Sequence, residues 1–292
     1  MDHPTVGIYE AEAETWEATR KPLERALAQS FAAKVPAGVV ADLGCGPGWY
    51  AADLPAPVVA LDAAKAMLDR VTIHAPAALR VQGDLSALPL RRGALAGAWA
   101  HNTYVHLARE AVPLALADLH RALSLGAPVA LTFLEGGGAG RELWADDDFP
   151  GRFFSQWERG HLLDVVVGAG FVIDEVLERT NRRGEVVLDV MAARARRLAD
   201  TVGPGMGLLL VGLNPSLYAA NAGVGFARPG NRFWPAIRAA GLVTRDRDPR
   251  HALRVHRIGM TDLVKRATVG AAELTADEYR DGLRRVERLA AW

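Results

Sequence analysis

Along the first two thirds of the chain, short continuous apolar runs alternate with segments whose apolar residues recur at helical spacing. Short apolar runs predict strands at 38–43, 58–61, 79–82, 95–100 and 128–134. Apolar residues at helical spacing predict helices within 1–35 and at 63–71, 110–123 and 157–169. Strands that alternate with helices predict βαβ units and a mostly parallel sheet, so the fold class is α/β.

The pattern changes after position 134. Residues 135–156 are rich in glycine and then in aspartate and aromatic residues, which predicts a loop or lid. Apolar runs at 171–179 and 185–193, joined by Asn-Arg-Arg-Gly, predict a hairpin that closes the sheet. Residues 194–207 are rich in arginine and then glycine, which indicates a linker.

A second α/β pattern begins at Leu208. It predicts a strand at 208–213, a helix at 231–240, a basic loop, an apolar turn region at 258–264 and a helix at 276–289. We therefore expect a first domain over residues 1–197, a linker over 198–207 and a second domain over 208–292.

Charge supports a division into two modules. Residues 1–200 carry 20 basic against 26 acidic side chains, whereas residues 201–292 carry 14 against 8. The basic module is the better candidate for binding a polyanion such as DNA. The chain has one cysteine, no apolar run of the ~18–20 residues that cross a bilayer and no secretory signal pattern. These features predict a cytoplasmic protein without a membrane partner.

A glycine-rich segment follows the first predicted strand, where residues 42–48 read Asp-Leu-Gly-Cys-Gly-Pro-Gly. Glycines allow the backbone to turn sharply and to approach a ligand closely. Asp62 ends the next strand, where a carboxylate can accept both hydroxyls of a ribose. Asp84 ends the third strand, where a side chain can reach an adenine edge. Together these positions predict a nucleoside site.

This arrangement resembles the class I methyltransferase superfamily over residues 38–193. The resemblance implies a doubly wound, seven-stranded sheet and S-adenosylmethionine as the cofactor. It assigns seven residues to the cofactor: Asp42, Gly44, Gly46 and Gly48 to the methionine part, Asp62 to the ribose, and Asp84 and Leu85 to the adenine. An NAD-binding domain is the alternative within this fold, but its fingerprint is Gly-x-Gly-x-x-Gly, whereas the spacing here is Gly-x-Gly-x-Gly.

The methyl acceptor stays unknown at this stage. Residues 100–104 read Ala-His-Asn-Thr-Tyr, where enzymes that methylate exocyclic amines of bases usually show Asn/Asp-Pro-Pro-aromatic. Methylation of cytosine C5 needs a cysteine nucleophile, and Cys45 lies in the glycine-rich loop. Both departures argue against these two kinds of DNA methylation. His101 is a candidate general base, with simple lining of the pocket as the alternative interpretation.

Three further side chains near the N-terminus, Tyr9, Trp16 and Arg20, either close over the cofactor or belong to the core. His106 is predicted to be a surface or structural residue. No metal site is predicted.

Two separated motifs mark the second module. Residues 211–216 read Val-Gly-Leu-Asn-Pro-Ser, and Phe226 follows Asn214 after twelve residues. Residues 226–234 read Phe-Ala-Arg-Pro-Gly-Asn-Arg-Phe-Trp, and residues 258–264 read Ile-Gly-Met-Thr-Asp-Leu-Val. Their order and spacing resemble the mismatch-specific uracil/thymine-DNA glycosylases over residues 208–289.

This second resemblance implies that Asn214 orients a water toward C1′ and that a base flipped out of the duplex stacks on Phe226. Backbone amides near Ser216 and Phe226 are expected to bind the base carbonyls. Asn231 is a further candidate for binding base or DNA, and Arg228 and Arg232 are candidate phosphate contacts. The implied partner is duplex DNA that carries uracil or a mismatch.

The glycosylase family continues with a further strand, a helix and a second Asn-Pro-Ser loop that this sequence does not contain. We therefore expect an incomplete three-layer αβα domain, either as a fragment of a longer protein or in a chain that lost the rest. One alternative is a methyltransferase whose C-terminal part is a non-catalytic DNA-binding or docking appendage. Another is a fusion of two activities with unrelated substrates.

Overall fold

The computed structural model describes residues 1–144, 146–203 and 205–291, except for the side chain of Glu142. Ala145 of the predicted lid, Pro204 of the predicted linker and the terminal Trp292 therefore lie outside the described residues. The chain folds as two compact units. The first contains Met1–Arg159 and Ile173–Arg194, and the second contains Gly160–Val172 and the residues from Ala195 onward. The domain boundaries expected from the sequence stay a prediction.

The helices and strands up to residue 194 alternate as expected. The helices are α1 (His3–Ala11), α2 (Ala13–Thr19), α3 (Arg25–Ala32), α4 (Lys65–His74), α5 (Val112–Ala122) and α6 (Arg159–Gly168). The strands are β1 (Val39–Leu43), β2 (Val58–Asp62), β3 (Leu79–Gln82), β4 (Leu95–Ala100), β5 (Pro128–Glu135), β6 (Ala139–Gly140), β7 (Phe154–Trp157), β8 (Phe171–Thr180) and β9 (Val186–Arg194).

These strands form one sheet, and its central series confirms the seven-stranded prediction. The order is β3-β2-β1-β4-β5-β9-β8, and β9 is antiparallel to β5. The short strands β7 and β6 add to this series beside Leu134 and Glu135 at the end of β5. The predicted lid at 135–156 is thus partly regular, because backbone pairing there extends the sheet.

Burial explains why the central strands were recognisable from sequence. All six residues of β4 and four of the five residues of β1 are buried, as expected for parallel strands covered on both faces. β1 lies between β2 and β4, with Asp42 opposite Ala60 and Trp99. The carboxyl ends of β1, β2 and β4 therefore meet at one edge of the sheet, where ligands bind in open α/β sheets.

Helix α1 is tied to several segments around this edge. Asp2 caps α1 by accepting a hydrogen bond from Thr5 N. The Thr5 hydroxyl accepts one from Phe153 N at 2.8 Å, and Glu10 accepts one from Ala66 N at the start of α4 at 3.1 Å. The helix is therefore held both to the segment before β7 and to the helix that follows β2.

The second unit is built around two parallel strands. β10 (Leu208–Gly212) pairs with β11 (Ile258–Asp262) along its whole length, and Thr201 pairs antiparallel with Met260 on β11. The helices after β10 are α7 (Leu217–Ala222), α8 (Phe233–Ala239), α9 (Pro249–His256) and α10 (Ala276–Ala290). Trp234 is fully buried in the apolar cluster of this unit.

Two sequence predictions for this unit were wrong. Residues 258–262 form strand β11 rather than a turn, because all five are buried and pair with β10. The predicted basic loop contains α9, which begins at Pro249 and is capped by Asp248, whose side chain accepts a hydrogen bond from His251 N. The predicted helix at 231–240 is shorter, from Phe233 to Ala239.

A buried ionic cluster links the segment before β10 to β11 and α10. Asp200 accepts hydrogen bonds from Lys265 Nζ at 2.6 Å and from Arg285 Nη1 at 2.7 Å. It also accepts one from the Thr261 hydroxyl at 2.5 Å. The two cations hold the pKa of Asp200 below its usual range against the opposing effect of burial. The Asp200 carboxylate is thus the shared counter-ion of two buried cations.

Candidate functional sites

The first unit contains a cavity of about 890 Å³ at the carboxyl edge of its sheet. Asp42, Gly44, Gly46, Asp62, Leu85 and His101 line this cavity, so the structure brings six of the predicted site residues together. The same cavity is lined by Tyr9, Trp16 and Arg20 of the N-terminal segment, and by His106. The volume is near the top of the ~300–1,000 Å³ range typical of small-molecule pockets.

The glycine-rich loop turns tightly over the end of β2. Gly46 N donates a hydrogen bond to Asp62 Oδ2 and Ala64 N donates one to Oδ1, both at 2.9 Å. Gly44, Gly46 and Gly48 all have positive φ, which glycine adopts readily. A Cβ on Gly46 would meet no atom within 4 Å, so this glycine leaves open space in the cavity wall. Gly48 instead packs against Val71.

Asp42 is a buried carboxylate without a full set of partners. Its Oδ2 has no hydrogen-bond partner among the described residues. Burial, and secondly the nearby Asp62 carboxylate, raise the pKa of Asp42 to about 8. Burial likewise raises the pKa of Asp62. A cationic group in the cavity would stabilise the ionised form of both side chains, so this end of the cavity suits a ligand with positive charge.

Asp84 and Leu85 differ in their surroundings. Leu85 is fully buried and lines the cavity. Asp84 accepts hydrogen bonds from the N-terminal amino group of Met1 at 3.0 Å and from Ser86 N and Oγ. These hydrogen bonds lower the pKa of Asp84 despite partial burial. Its carboxylate is therefore engaged by protein donors beside the cavity.

His101 lies just after β4, and both of its ring nitrogens are engaged. Nδ1 lies 3.1 Å from the Thr132 hydroxyl, which donates to Asp189, and Nε2 lies 3.0 Å from the Asn102 amide nitrogen. The ring stacks on Trp99 at a centroid distance of 5.7 Å. Burial lowers the pKa of His101 to about 4, so the ring is neutral at pH 7.

A second histidine forms a hydrogen-bonded chain that sequence reasoning missed. His106 Nδ1 lies 2.7 Å from the Phe153 carbonyl oxygen, so it carries the proton, and Nε2 accepts from the Tyr9 hydroxyl at 2.9 Å. Arg152 donates to the Tyr9 oxygen at 2.6 Å and forms a buried ion pair with Asp147. His106 is buried, so the expectation of a surface position was wrong, and the residue also lines the cavity. No sequence signal joins residues 9, 106 and 152.

In the second unit, Asn214 follows β10 directly. Its amide nitrogen donates to the Thr268 hydroxyl at 2.7 Å and to the Arg266 carbonyl at 3.2 Å. Its Oδ1 has no hydrogen-bond donor among the described residues. The side chain is thus oriented through its nitrogen, and its oxygen is left to accept a hydrogen bond, for example from a water.

Phe226 lies close to the end of β10 in a left-handed backbone conformation, with a φ of 57°. Its ring stacks on Phe233 at a centroid distance of 3.9 Å and an interplanar angle of 22°. Trp234 belongs to the core. Phe233 covers one face of the Phe226 ring, and this stacking fixes the orientation of the ring.

The other predicted contacts of this unit divide into structural and exposed groups. Ser216 caps α7 by accepting from Ala219 N, and Asn231 accepts from Phe233 N at the start of α8. Arg228 and Arg232 are exposed. Two of these side chains thus shape the backbone, and two offer positive charge to the solvent.

Asp262 belongs to the motif at residues 258–264, but sequence analysis assigned it no role. It ends β11 opposite Gly212 and is only 7% exposed. A Cβ on Gly212 would lie 2.4 Å from Asp262 Oδ1 and 3.6 Å from Phe226 Cζ, so both side chains approach this glycine. Burial raises the pKa of Asp262 to about 6 although Lys265 is nearby. A buried carboxyl group and the predicted base-stacking ring thus both lie beside Gly212.

These two sites define the class of each unit: a nucleoside-binding α/β domain and a second α/β domain with an Asn-Pro loop at its strand edge. Comparison with protein families agrees with both. Residues 40–126 match the methyltransferase domain family, and residues 199–290 match the uracil DNA glycosylase superfamily. The chain therefore carries a methyltransferase domain followed by a domain of the uracil DNA glycosylase superfamily.

Solved structures support the fold of the first unit. DhpI in complex with S-adenosylhomocysteine aligns with a TM-score of 0.53 and 17% identity, over 67% of this chain and 97% of its own. An S-adenosylmethionine-dependent methyltransferase from Mesorhizobium loti aligns with a TM-score of 0.50 and 20% identity, over 59% and 97%. The 1,6-didemethyltoxoflavin-N1-methyltransferase from Burkholderia thailandensis aligns with a TM-score of 0.51 and 17% identity, over 66% and 86%. At these identities the likeness concerns the fold.

The described part of the chain contains no group of three or more His, Cys, Asp or Glu side chains that could hold a metal ion. None of its helices is long and apolar enough to cross a membrane.

Proposed function

We propose that the first unit is a methyltransferase that uses S-adenosylmethionine. The observation that carries this proposal is the unpartnered Oδ2 of buried Asp42, which faces a cavity whose glycine loop leaves room for a ligand. The cofactor carries a sulfonium and an α-ammonium charge, and either suits a carboxylate whose pKa is raised by burial. When bound, the cofactor supplies an electrophilic methyl group.

The residues that hold the cofactor follow from their place on the sheet edge. Asp42 and the backbone of Gly44, Gly46 and Gly48 bind the methionine part, and Asp62 accepts the ribose hydroxyls. Leu85 packs against the adenine. Asp84 contacts the adenine once its hydrogen bond with the Met1 amino group breaks. His101 is the candidate base after β4. Holding two reactants in one cavity accounts for much of the rate enhancement in such a reaction.

Calorimetric binding of S-adenosylmethionine to the full chain tests this proposal. We expect the affinity of the wild type to rise with pH up to about 8, because the cation favours ionised Asp42. Asp42→Asn should bind at least about tenfold more weakly at pH 8 and lose this pH dependence. Asp53→Asn, whose carboxylate pairs with Arg25 and is not part of the cavity lining, should bind like the wild type. Absence of binding by the wild type would refute the proposal.

We propose further that the second unit excises uracil from G·U mismatches in duplex DNA and acts in base-excision repair. The carrying observation is the orientation of Asn214, whose amide nitrogen is held by Thr268 and Arg266 while its oxygen stays available. A water bound to this oxygen can attack C1′ of a flipped nucleotide. Phe226 then stacks against the base, and Arg228 and Arg232 contact phosphates.

The test is incubation of the full chain with a duplex oligonucleotide carrying one G·U mismatch, followed by alkaline cleavage at abasic sites. Wild-type protein should cleave the uracil strand, and Asn214→Ala should lower the single-turnover rate by about a hundredfold or more. Asn181→Ala, in the hairpin of the first unit, is the matched control. Cleavage that is equal in Asn214→Ala would exclude the proposed role of this residue.

A non-catalytic DNA-binding appendage is the second candidate for this unit. The exposed arginines Arg228 and Arg232 favour it as much as they favour an enzyme. Duplex binding that is equal with and without the mismatch, together with no cleavage, would support this alternative. We also propose a domain division at residues 198–207 and a cytoplasmic location, the latter on the single buried Cys45.

A further inference from the structure

We propose that Tyr9 and His106 form the proton relay of the methyltransferase site and that the acceptor is a small aromatic molecule with a hydroxyl group. This inference rests on the proposed methyltransferase function and assigns its acceptor side. It depends on the chain of hydrogen bonds from Arg152 through Tyr9 to His106, and on the aromatic side chains around it.

The hydrogen bonds of Tyr9 leave one lone pair of its phenolic oxygen unused. The phenol donates its proton to His106 Nε2 at 2.9 Å and accepts from Arg152 Nη1 at 2.6 Å. A phenolic oxygen has two lone pairs, so one remains to accept a hydrogen bond. Tyr9 lines the cavity. Burial, and to a smaller extent the Asp62 carboxylate, raise the pKa of Tyr9, so its phenol is protonated before reaction.

His106 is oriented so that its Nε2 faces the Tyr9 hydroxyl. The Phe153 carbonyl oxygen fixes the tautomer with the proton on Nδ1, and Nε2 therefore carries a lone pair toward Tyr9. Burial lowers the pKa of His106 to about 4, so the ring is neutral before reaction. The Asp147 carboxylate balances the charge of Arg152 beside this pair.

His101 is the competing base, but both of its ring nitrogens already have hydrogen-bond partners. Thr132 engages its Nδ1 and Asn102 its Nε2. A substrate proton can reach His101 only if Asn102 moves away, whereas Tyr9 needs no rearrangement. The structure therefore favours Tyr9 and His106 for the first proton transfer.

The surrounding wall indicates the kind of acceptor. Trp16, Trp144 and Phe154 line the cavity together with Tyr9 and His106. Their rings offer flat apolar surface, on which an aromatic molecule can stack or pack edge to face. The cavity volume of about 890 Å³ exceeds the space required by one nucleoside-sized ligand, so it can hold a small second molecule.

The acceptor O–H bond breaks, its proton passes to the Tyr9 oxygen, and the Tyr9 proton passes to His106 Nε2. The acceptor oxygen forms a bond to the methyl carbon while the carbon–sulfur bond of the sulfonium breaks, with its electron pair remaining on sulfur. The imidazolium of His106 later releases its proton to water, which restores the starting state.

The probe is 4-nitrophenol, whose ionisation changes its visible absorption, titrated with the full chain in the presence of S-adenosylhomocysteine. We expect the wild type to lower the pKa of bound nitrophenol by about one unit, a tenfold change in its ionisation constant. Tyr9→Phe and His106→Gln should each abolish this shift while S-adenosylhomocysteine still binds. Tyr104→Phe, which removes a buried hydroxyl that has no partner among the described residues, should preserve it.

Three results would overturn the inference. They are no binding of nitrophenol to the wild type, an unshifted pKa when it is bound, and a shift lost in His101→Gln but retained in both relay variants. Failure of the wild type to bind S-adenosylhomocysteine would instead refute the cofactor proposal. If Tyr9→Phe does not fold, the inference is tested by His106→Gln and by the tautomer of His106, which ¹⁵N nuclear magnetic resonance measures. A purely structural histidine would leave the pKa of bound nitrophenol unaffected.

Discussion

At the scale of single residues, the buried acids fall into two groups. Asp147 and Asp200 are buried beside cations, and the cost of their burial is offset by ion pairs. Asp42 and Asp262 are buried without a direct cationic hydrogen-bond donor, and burial raises the pKa of each. Perturbed groups of the second kind cluster at functional sites, because the missing partner is often a ligand.

Asp42 makes stability depend on pH in a defined direction. Its pKa is about 8 in the folded chain and near the ordinary value of 3.8 when unfolded. The unfolded state thus releases a proton between these values, and the free energy of unfolding falls as pH rises from about 4 to 8. We expect Asp42→Asn to melt at a higher temperature than the wild type, with a difference that grows over this range and then levels off. A constant difference in thermal melts would contradict this account.

At the scale of elements, the contact between β10 and β11 depends on a glycine. A Cβ at Gly212 would lie 2.4 Å from Asp262 Oδ1, which is closer than atoms can approach. The side chain of Asp262 therefore occupies the space that any other residue at 212 would need.

Gly212→Ala should therefore disturb the second unit. We expect a loss of about 1–3 kcal/mol in the free energy of unfolding, the usual range for overpacking, and weaker excision of uracil. Gly207→Ala, where a Cβ meets nothing within 4 Å, is the matched control and should change neither quantity. Denaturant unfolding of the three proteins measures the difference, and equal stability would show that the strands separate easily at this point.

The Asp200 cluster joins separate elements through charge. Asp200→Ala would leave Lys265 and Arg285 buried without their counter-ion, and removal of one partner of a buried pair typically costs about 3–5 kcal/mol. Asp277→Ala, which removes an exposed ion pair with Arg280, should cost less than about 1 kcal/mol. Denaturant unfolding compares the two. A small loss in Asp200→Ala would indicate that water reaches the cluster.

Some elements of the fold could be predicted from the sequence, and others could not. Buried runs such as β1 and β4 are visible because both faces are apolar, and Asp42 and Asp62 are recognisable because they end such runs. Strand β11 was taken for a turn, because only its pairing with β10 distinguishes it. The relay of Tyr9, His106 and Arg152 had no local signature, since tertiary packing brings it together.

At the scale of the whole molecule, charge is divided along the chain. The first 200 residues are net acidic and the remaining 92 are net basic, which concentrates positive charge near the glycosylase-like unit. Binding of a duplex by lysine and arginine releases counterions from the DNA, so the affinity depends steeply on salt. This dependence reports how many phosphates are contacted.

Arg228→Ala and Arg232→Ala should each weaken duplex binding and reduce the slope of log affinity against log salt by about one. Arg92→Ala, in the first unit, provides the comparison and should leave the slope unchanged. Fluorescence anisotropy at several salt concentrations measures these slopes. Unchanged slopes in both variants would place the DNA on another face.

Helix α1 has a consequence for the lifetime of complexes. Thr5, Tyr9 and Glu10 tie it to Phe153, His106 and Ala66, and Tyr9 lines the cavity. A bound nucleoside can leave through this side only after several of these hydrogen bonds open together. Residence time is then governed by a local unfolding event, and slow amide hydrogen exchange at Phe153 would report the same rate as product release.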